Sequence, residues 1–139
     1  MAPSALARMM ETRRDLSTRP LVVIVDDDDA VRDSLQFALQ IEGFTVRTYS
    51  SPWTVLKEGL VPDCGCLVVD QSMPEITGLD LIARLREQNM LAPAILITSH
   101  LSATVRERAA SAGVPIVEKP LLGSTLSDRI RQSLAQQSA

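Results

Sequence analysis

Aromatic side chains are scarce in this chain of 139 residues: Phe, Tyr and Trp together make up 3%. With 45% hydrophobic residues, the core must therefore be built from Val, Ile, Leu and Ala. That share, beside 22% charged residues, suits one soluble domain of ordinary size that folds without metal or disulfide staples. Nitrogen and sulfur ligands are equally few. One histidine (His100) and two cysteines (Cys64 and Cys66) fall short of the four ligands of a structural zinc. The spacing of the cysteines in "DCGCLVVD" predicts one strand face for both, as small buried hydrophobes, and free thiols fit a cytoplasmic setting. No apolar run approaches the roughly 20 residues of a membrane helix, and the N-terminus lacks a secretory apolar segment, so no membrane partner is expected. The net charge of -3 provides no cationic footprint for nucleic acid.

Residues 1–19 differ from the rest. Arg8, Arg13, Arg14 and Arg19 against Glu11 and Asp15 make them net positive, and the remainder net negative. Leu6, Met9, Met10 and Leu16 could share a helical face, but a flexible leader is the expectation for a terminus. The domain is expected to span residues 20–139.

From Leu21 onward, short apolar runs alternate with helical patterns. "LVVIVD" is continuous and β-branched, as in a strand buried on both faces of a parallel sheet. "DAVRDSLQFALQIEG" carries Val31, Leu35, Ala38, Leu39 and Ile41 at helical spacing and stops at Gly43. "FTVRTYS" alternates as a more exposed strand, and Ser51-Pro52 reads as a cap and first helical position. "CLVVD", "PAILITS" and "VPIVEKP" are three further strands, each followed by a helical pattern. The helix after "PAILITS" has a thin apolar face and is expected to be loosely held. Five strand–helix pairs predict an α/β fold, a doubly wound five-stranded parallel sheet with helices on both faces.

In such sheets ligands bind beyond the carboxyl ends of the strands. The polar residues gather there: Asp26 and Asp27 after the first strand, Asp70 after the third, Thr98 after the fourth and Lys119 after the fifth. At an effective dielectric of about 20, two carboxylates about 4 Å apart repel by roughly 4 kcal/mol. Oxygen ligands in an open site suit Mg²⁺, which would offset that repulsion. An Asp beside Mg²⁺, Lys and Thr can attack an activated phosphoryl group. Taken singly, each feature has an ordinary structural explanation: Asp28 or Asp29 caps the next helix, and Lys-Pro forms a turn. Four strand ends agreeing in one fold favour the functional reading.

The motifs "VDDDD", "VVDQSMPEITG", "ILITSH" and "VEKP", in this order, resemble the receiver domain of two-component response regulators, especially that of nitrogen-fixation transcription regulators. The likeness covers about residues 20–137. It implies a flavodoxin-like fold with strand order 2-1-3-4-5. It also implies Asp70 as phosphoacceptor, followed by the family's Met73-Pro74 and Gly78. Asp27 would ligate Mg²⁺ directly and Asp26 through water, with Asp70 and the backbone carbonyl of Ser72 completing the protein's share. Lys119 matches the family lysine and Thr98 the switch hydroxyl. Ser72 and His100 match the rim positions that tune dephosphorylation, although His100 can equally be a solvated loop residue. Ile116 stands where the family has Tyr or Phe, Leu121 where it has Phe, and the segment from Gly113 to Lys119, with Pro115 inside it, is one residue short.

The resulting expectation is a phosphorelay receiver whose partners are a sensor histidine kinase or histidine phosphotransfer protein and an unidentified downstream protein. It would be no enzyme beyond its own phosphotransfer and slow autodephosphorylation. The chain stops about three residues after its last helical pattern, which suggests a single-domain regulator. Two other readings compete. A Mg²⁺-dependent phosphohydrolase with an Asp nucleophile would want a second acid where Ser72 stands, and a degenerate receiver serving as a constitutive interaction module would have lost one of the acids, Thr98 or Lys119.

Overall fold

A computed structural model describes residues 19–121 and 123–138. The leader expected at residues 1–19 lies, except for Arg19, outside the described residues. The strands are β1 (Leu21–Val25), β2 (Thr45–Tyr49), β3 (Cys64–Asp70), β4 (Ala94–Thr98) and β5 (Ile116–Glu118). They alternate with α1 (Asp29–Ile41), α2 (Pro52–Glu58), α3 (Gly78–Glu87), α4 (Ala103–Ala112) and α5 (Thr125–Ser138). All strand pairs are parallel, in the order β2-β1-β3-β4-β5, as the family resemblance implies.

The continuous apolar runs are explained by a core on each face. Val23, Val25, Leu67, Val69 and Leu96 pack with Val55 of α2, Leu79, Ile82 and Leu85 of α3 and Ala109 of α4. Their strand neighbours Val22, Ile24, Val68, Ile95 and Ile97 point the other way, onto Leu35 and Leu39 of α1 and Leu126 and Ile130 of α5. Helix starts follow local chemistry. The Asp28 carboxylate accepts from the Val31 N–H at 3.1 Å, Ser51 from Trp53, Thr77 from Asp80 and Ser102 from Val105. Of the two acids expected to cap α1, it is Asp28 that does so. In α4 only Ala109 is buried, in keeping with its thin apolar face.

Two expectations are corrected. Cys64 and Cys66 do not share a face: Cys64 joins the core under α2 and α3, and Cys66 the core under α1 and α5. The cause is an irregularity in the pairing of β1 with β3, where consecutive Leu21 and Val22 oppose Cys64 and Cys66, and Gly65 is the extra residue of a bulge. Both cysteines are buried and free, and burial pushes their thiols up to about 11 and about 12. Ile41 is also off the apolar face of α1, at 70% exposed. Val31, Leu35 and Leu39 recur every fourth residue toward the sheet, and two residues beyond Leu39 the helix has turned about 200° away.

At Gly78, the first residue of α3, the helix presses against the end of β3. A Cβ there would lie 2.6 Å from the Asp70 carbonyl oxygen and 2.8 Å from a Leu96 methyl. Neither neighbour has room to yield, since Asp70 and Leu96 are both in paired, buried strands. Gly78→Ala is expected to lower the unfolding free energy by roughly 1–3 kcal/mol, measured by urea denaturation. A loss under about 0.5 kcal/mol, as for an ordinary surface change, would contradict this close approach.

Candidate functional site

Sheet order brings the acids together. β1 and β3 are neighbours, and their register pairs Val25 with Val69, so Asp26 and Asp70 follow side by side. Asp70 in turn pairs with Ile97, and Thr98 with Glu118, which sets Lys119 at the same edge. One carboxylate oxygen from each of Asp26, Asp27 and Asp70 lies within 4.8 Å of the others. Asp26 and Asp70 are buried, and Asp27 is exposed at the mouth.

Lys119 is the cation among them. Its Nζ donates to Asp70 Oδ1 at 3.3 Å and lies 3.8 Å from Asp26 Oδ2. Asp26 is only 1% exposed. Its Oδ1 accepts from the Asp28 N–H at 2.9 Å, whereas its buried Oδ2 has no hydrogen-bond partner. Burial is the main cause raising the Asp26 carboxyl above its ordinary pKa, with Asp70 and Asp27 adding to it, while the Asp28 N–H and Lys119 oppose it. An orphaned carboxylate oxygen, two further acids and an exposed mouth fit a hard divalent cation with oxygen ligands.

The structure does not bring the hydroxyl of Thr98 to the carboxylates. Thr98 is fully buried at the end of β4, but its Oγ1 accepts from the His100 N–H and donates to the His100 carbonyl, each at 3.1 Å. His100 itself is exposed, and so is Ser72 on the loop after β3. The Lys119–Pro120 peptide is cis.

Sequence reasoning missed several supports. Arg32 reaches back along α1 to donate to the Asp26 carbonyl at 2.8 Å and also pairs with Asp29. Its place three residues after Asp29 signals the helical pair and gives no hint of the longer reach. Gln71 is buried beside Asp70, and its Oε1 accepts from the Leu79 N–H at 3.0 Å, binding the loop to the start of α3. A polar residue that caps a helix from eight positions upstream has no local signature. Trp53 donates through Nε1 to Glu75 on the same loop.

These features coincide with a known family. The family model for the response regulator receiver domain matches residues 22–131. The chain is 34% identical over 116 residues to the transcriptional regulatory protein FixJ of Azorhizobium caulinodans, covering 83% of this chain and 55% of that protein. To the response regulator protein TodT of Pseudomonas putida it is 35% identical over 123 residues, covering 87% of this chain and 54% of TodT. Among solved structures it superposes on the crystal structure of FixJ-N with a TM-score of 0.75 at 33% identity, over 84% of this chain and 94% of that one. A receiver domain protein from Clostridium thermocellum shares the fold at a TM-score of 0.77 and 21% identity, over 86% of this chain and 97% of that one. The chain belongs to the response regulator receiver domain family, the signal-receiving modules of two-component phosphorelays. It spans about half the length of the curated relatives it matches. Among the described residues, no helix is long and apolar enough to cross a membrane.

The buried acid has a stability signature. Because the folded-state pKa of Asp26 lies above its unfolded value, the native state holds a proton that the unfolded chain has released between those two pH values. Stability from this group is therefore full below the unfolded pKa and is lost as pH rises through the folded one. Asp26→Asn keeps an acceptor for the Asp28 N–H and removes the charge. In metal-free buffer at pH 7 it should be more stable than the parent, and the gain should vanish below the unfolded value of 3.8. Urea unfolding at several pH values checks this. A variant less stable than the parent at pH 7 would mean that pairing with Lys119 outweighs burial.

Proposed function

We propose that this receiver accepts a phosphoryl group on Asp70 from a sensor histidine kinase or a histidine phosphotransfer protein, and so switches its affinity for a downstream protein. The observation that carries this reading is the setting of Asp70: buried at the β3 end, 3.3 Å from Lys119 and within reach of Asp26 and Asp27. A carboxylate oxygen of Asp70 attacks phosphorus as the phosphorus–nitrogen bond of the donor phosphohistidine breaks, leaving the electron pair on the imidazole. The ammonium of Lys119 neutralises charge on Asp70 and on the incoming phosphoryl oxygens.

Asp26, Asp27, Asp70 and the Ser72 carbonyl would hold Mg²⁺, which when bound offsets the carboxylate repulsion and stabilises negative charge on the transferring group. With no external substrate to turn over, catalysis is confined to the domain's own phosphorylation and its slow reversal. Ser72 and His100 are both exposed, and the family resemblance implies that they would tune that reversal. Buried free thiols suit the cytoplasm as its compartment.

The switch begins at Thr98. Its hydroxyl proton is already given to the His100 carbonyl, so donating to a phosphoryl oxygen requires release of that bond. One such bond contributes only about 1 kcal/mol net, small beside the charge-assisted bond that would replace it. Release frees the loop at His100 and the entry to α4, the least anchored helix of the core. A phosphoryl group shifts the equilibrium only through such differential contacts.

Intact-mass spectrometry after incubation with Mg²⁺ and a small acyl phosphate tests the assignment. The parent is expected to gain a single phosphoryl group, and Asp70→Asn none. A stable phosphoryl adduct on the Asn variant would place the acceptor elsewhere.

A further inference from the structure

The loop after β3 contains a residue in a conformation that its type disfavours. Glu75 has a φ of 72°, and across it the Ile76 N–H donates to the Pro74 carbonyl at 2.8 Å, which closes a γ-turn. A turn of this sense is rare and strained for a residue with a Cβ, and it persists only where its surroundings impose it. The residues around it are committed to the core: Met73 and Ile76 are both buried. Relaxation of Glu75 would therefore shift the segment that joins Asp70 to α3.

The tie that holds Glu75 comes from another element. Trp53, the chain's single tryptophan, donates its indole N–H to Glu75 Oε2 from the first turn of α2. Its backbone and its ring each have a further partner. Ser51 accepts from the Trp53 backbone N–H at 3.2 Å, and the Arg84 guanidinium of α3 lies 5.4 Å from the ring centroid. Trp53 is 41% exposed, so core packing alone does not account for a large aromatic here. In a chain with 3% aromatic residues, this one joins α2, α3 and the loop that follows Asp70.

We infer that Trp53 is a positioning residue: acting through Glu75, its indole N–H holds the loop from Gln71 to Thr77 so that the Ser72 carbonyl stays beside Asp70. The inference rests on the reading of Asp70 and Ser72 given under Proposed function. Trp53 touches neither the phosphoryl group nor the cation. It keeps a strained turn from relaxing.

A rescue experiment separates this role from simple packing. Trp53→Phe keeps a ring and removes the donor. Glu75→Gly removes the strain, because Gly adopts positive φ freely, and the double variant then needs no tie. Glu75→Asn, which also tolerates positive φ, serves as a second rescue if Gly loosens the loop. The readouts are Mg²⁺ affinity by isothermal titration calorimetry and amide hydrogen exchange across residues 71–79 of the metal-free protein. Trp53→Phe is expected to weaken Mg²⁺ binding by about tenfold, in the range seen when an outer-shell support is lost, and to speed exchange in the loop. The double variant should return both readouts toward parental values. The inference is overturned if Trp53→Phe changes neither readout, or if both change and neither substitution at Glu75 restores them. Should the parent itself fail to bind Mg²⁺, the phosphoacceptor reading falls, and the exchange pattern of the four proteins still decides the tie.

Discussion

Like-charge crowding at one edge of the sheet is the constraint from which the rest of this domain follows. Three carboxylates meet within 4.8 Å, two of them buried, around a single lysine. Two carboxylates that close repel by roughly 4 kcal/mol at a protein-like dielectric, and burial adds its own cost to Asp26. Lys119 relieves part of this through Asp70, but one oxygen of Asp26 remains without a hydrogen bond. That residual crowding is what the proposed reading uses: a cation, and then a phosphoryl group, would complete the site from outside.

Chain topology makes the crowding possible. Because β1 is flanked by β2 and β3, the chain reverses its winding direction there, and the ends of β1 and β3 open onto a crevice. Parallel strands buried on both faces leave only their ends for polar chemistry. The supports then converge on that edge. Arg32 holds the Asp26 carbonyl, Gln71 and Gly78 close the helix of the next unit against Asp70, and Glu75 is held from α2. Rigid strands and a tied loop after β3 fix the charges, and the proposed switch is left to the loop after β4, which Thr98 holds through His100.

Much of this was legible in the sequence because it depends on periodicity and on strand-end chemistry. Five apolar runs gave the strands, and the residues just beyond them gave Asp26, Asp27, Asp70 and Lys119. The strand order came from family resemblance, since alternation of strands and helices does not fix it. What was missed is non-local. The opposite faces of Cys64 and Cys66 follow from a bulge that only the pairing with β1 reveals. Thr98 stands at the expected strand end, but its hydroxyl is turned to a loop whose path no pattern fixes. Ile41 is apolar and lies in a helical pattern, but its angle around α1 carries it away from the sheet. Glu75 and Trp53 lie 22 residues apart, and neither residue type marks the tie.

The central claim is that a divalent cation relieves the carboxylate crowding. Its most direct measure is urea unfolding of the parent chain across a Mg²⁺ titration, against NaCl matched for ionic strength. Binding to the native state alone predicts a stability gain that grows with the logarithm of Mg²⁺ concentration, reaching about 2.7 kcal/mol at 100 times the dissociation constant. Identical unfolding curves in Mg²⁺ and in matched NaCl would contradict the account.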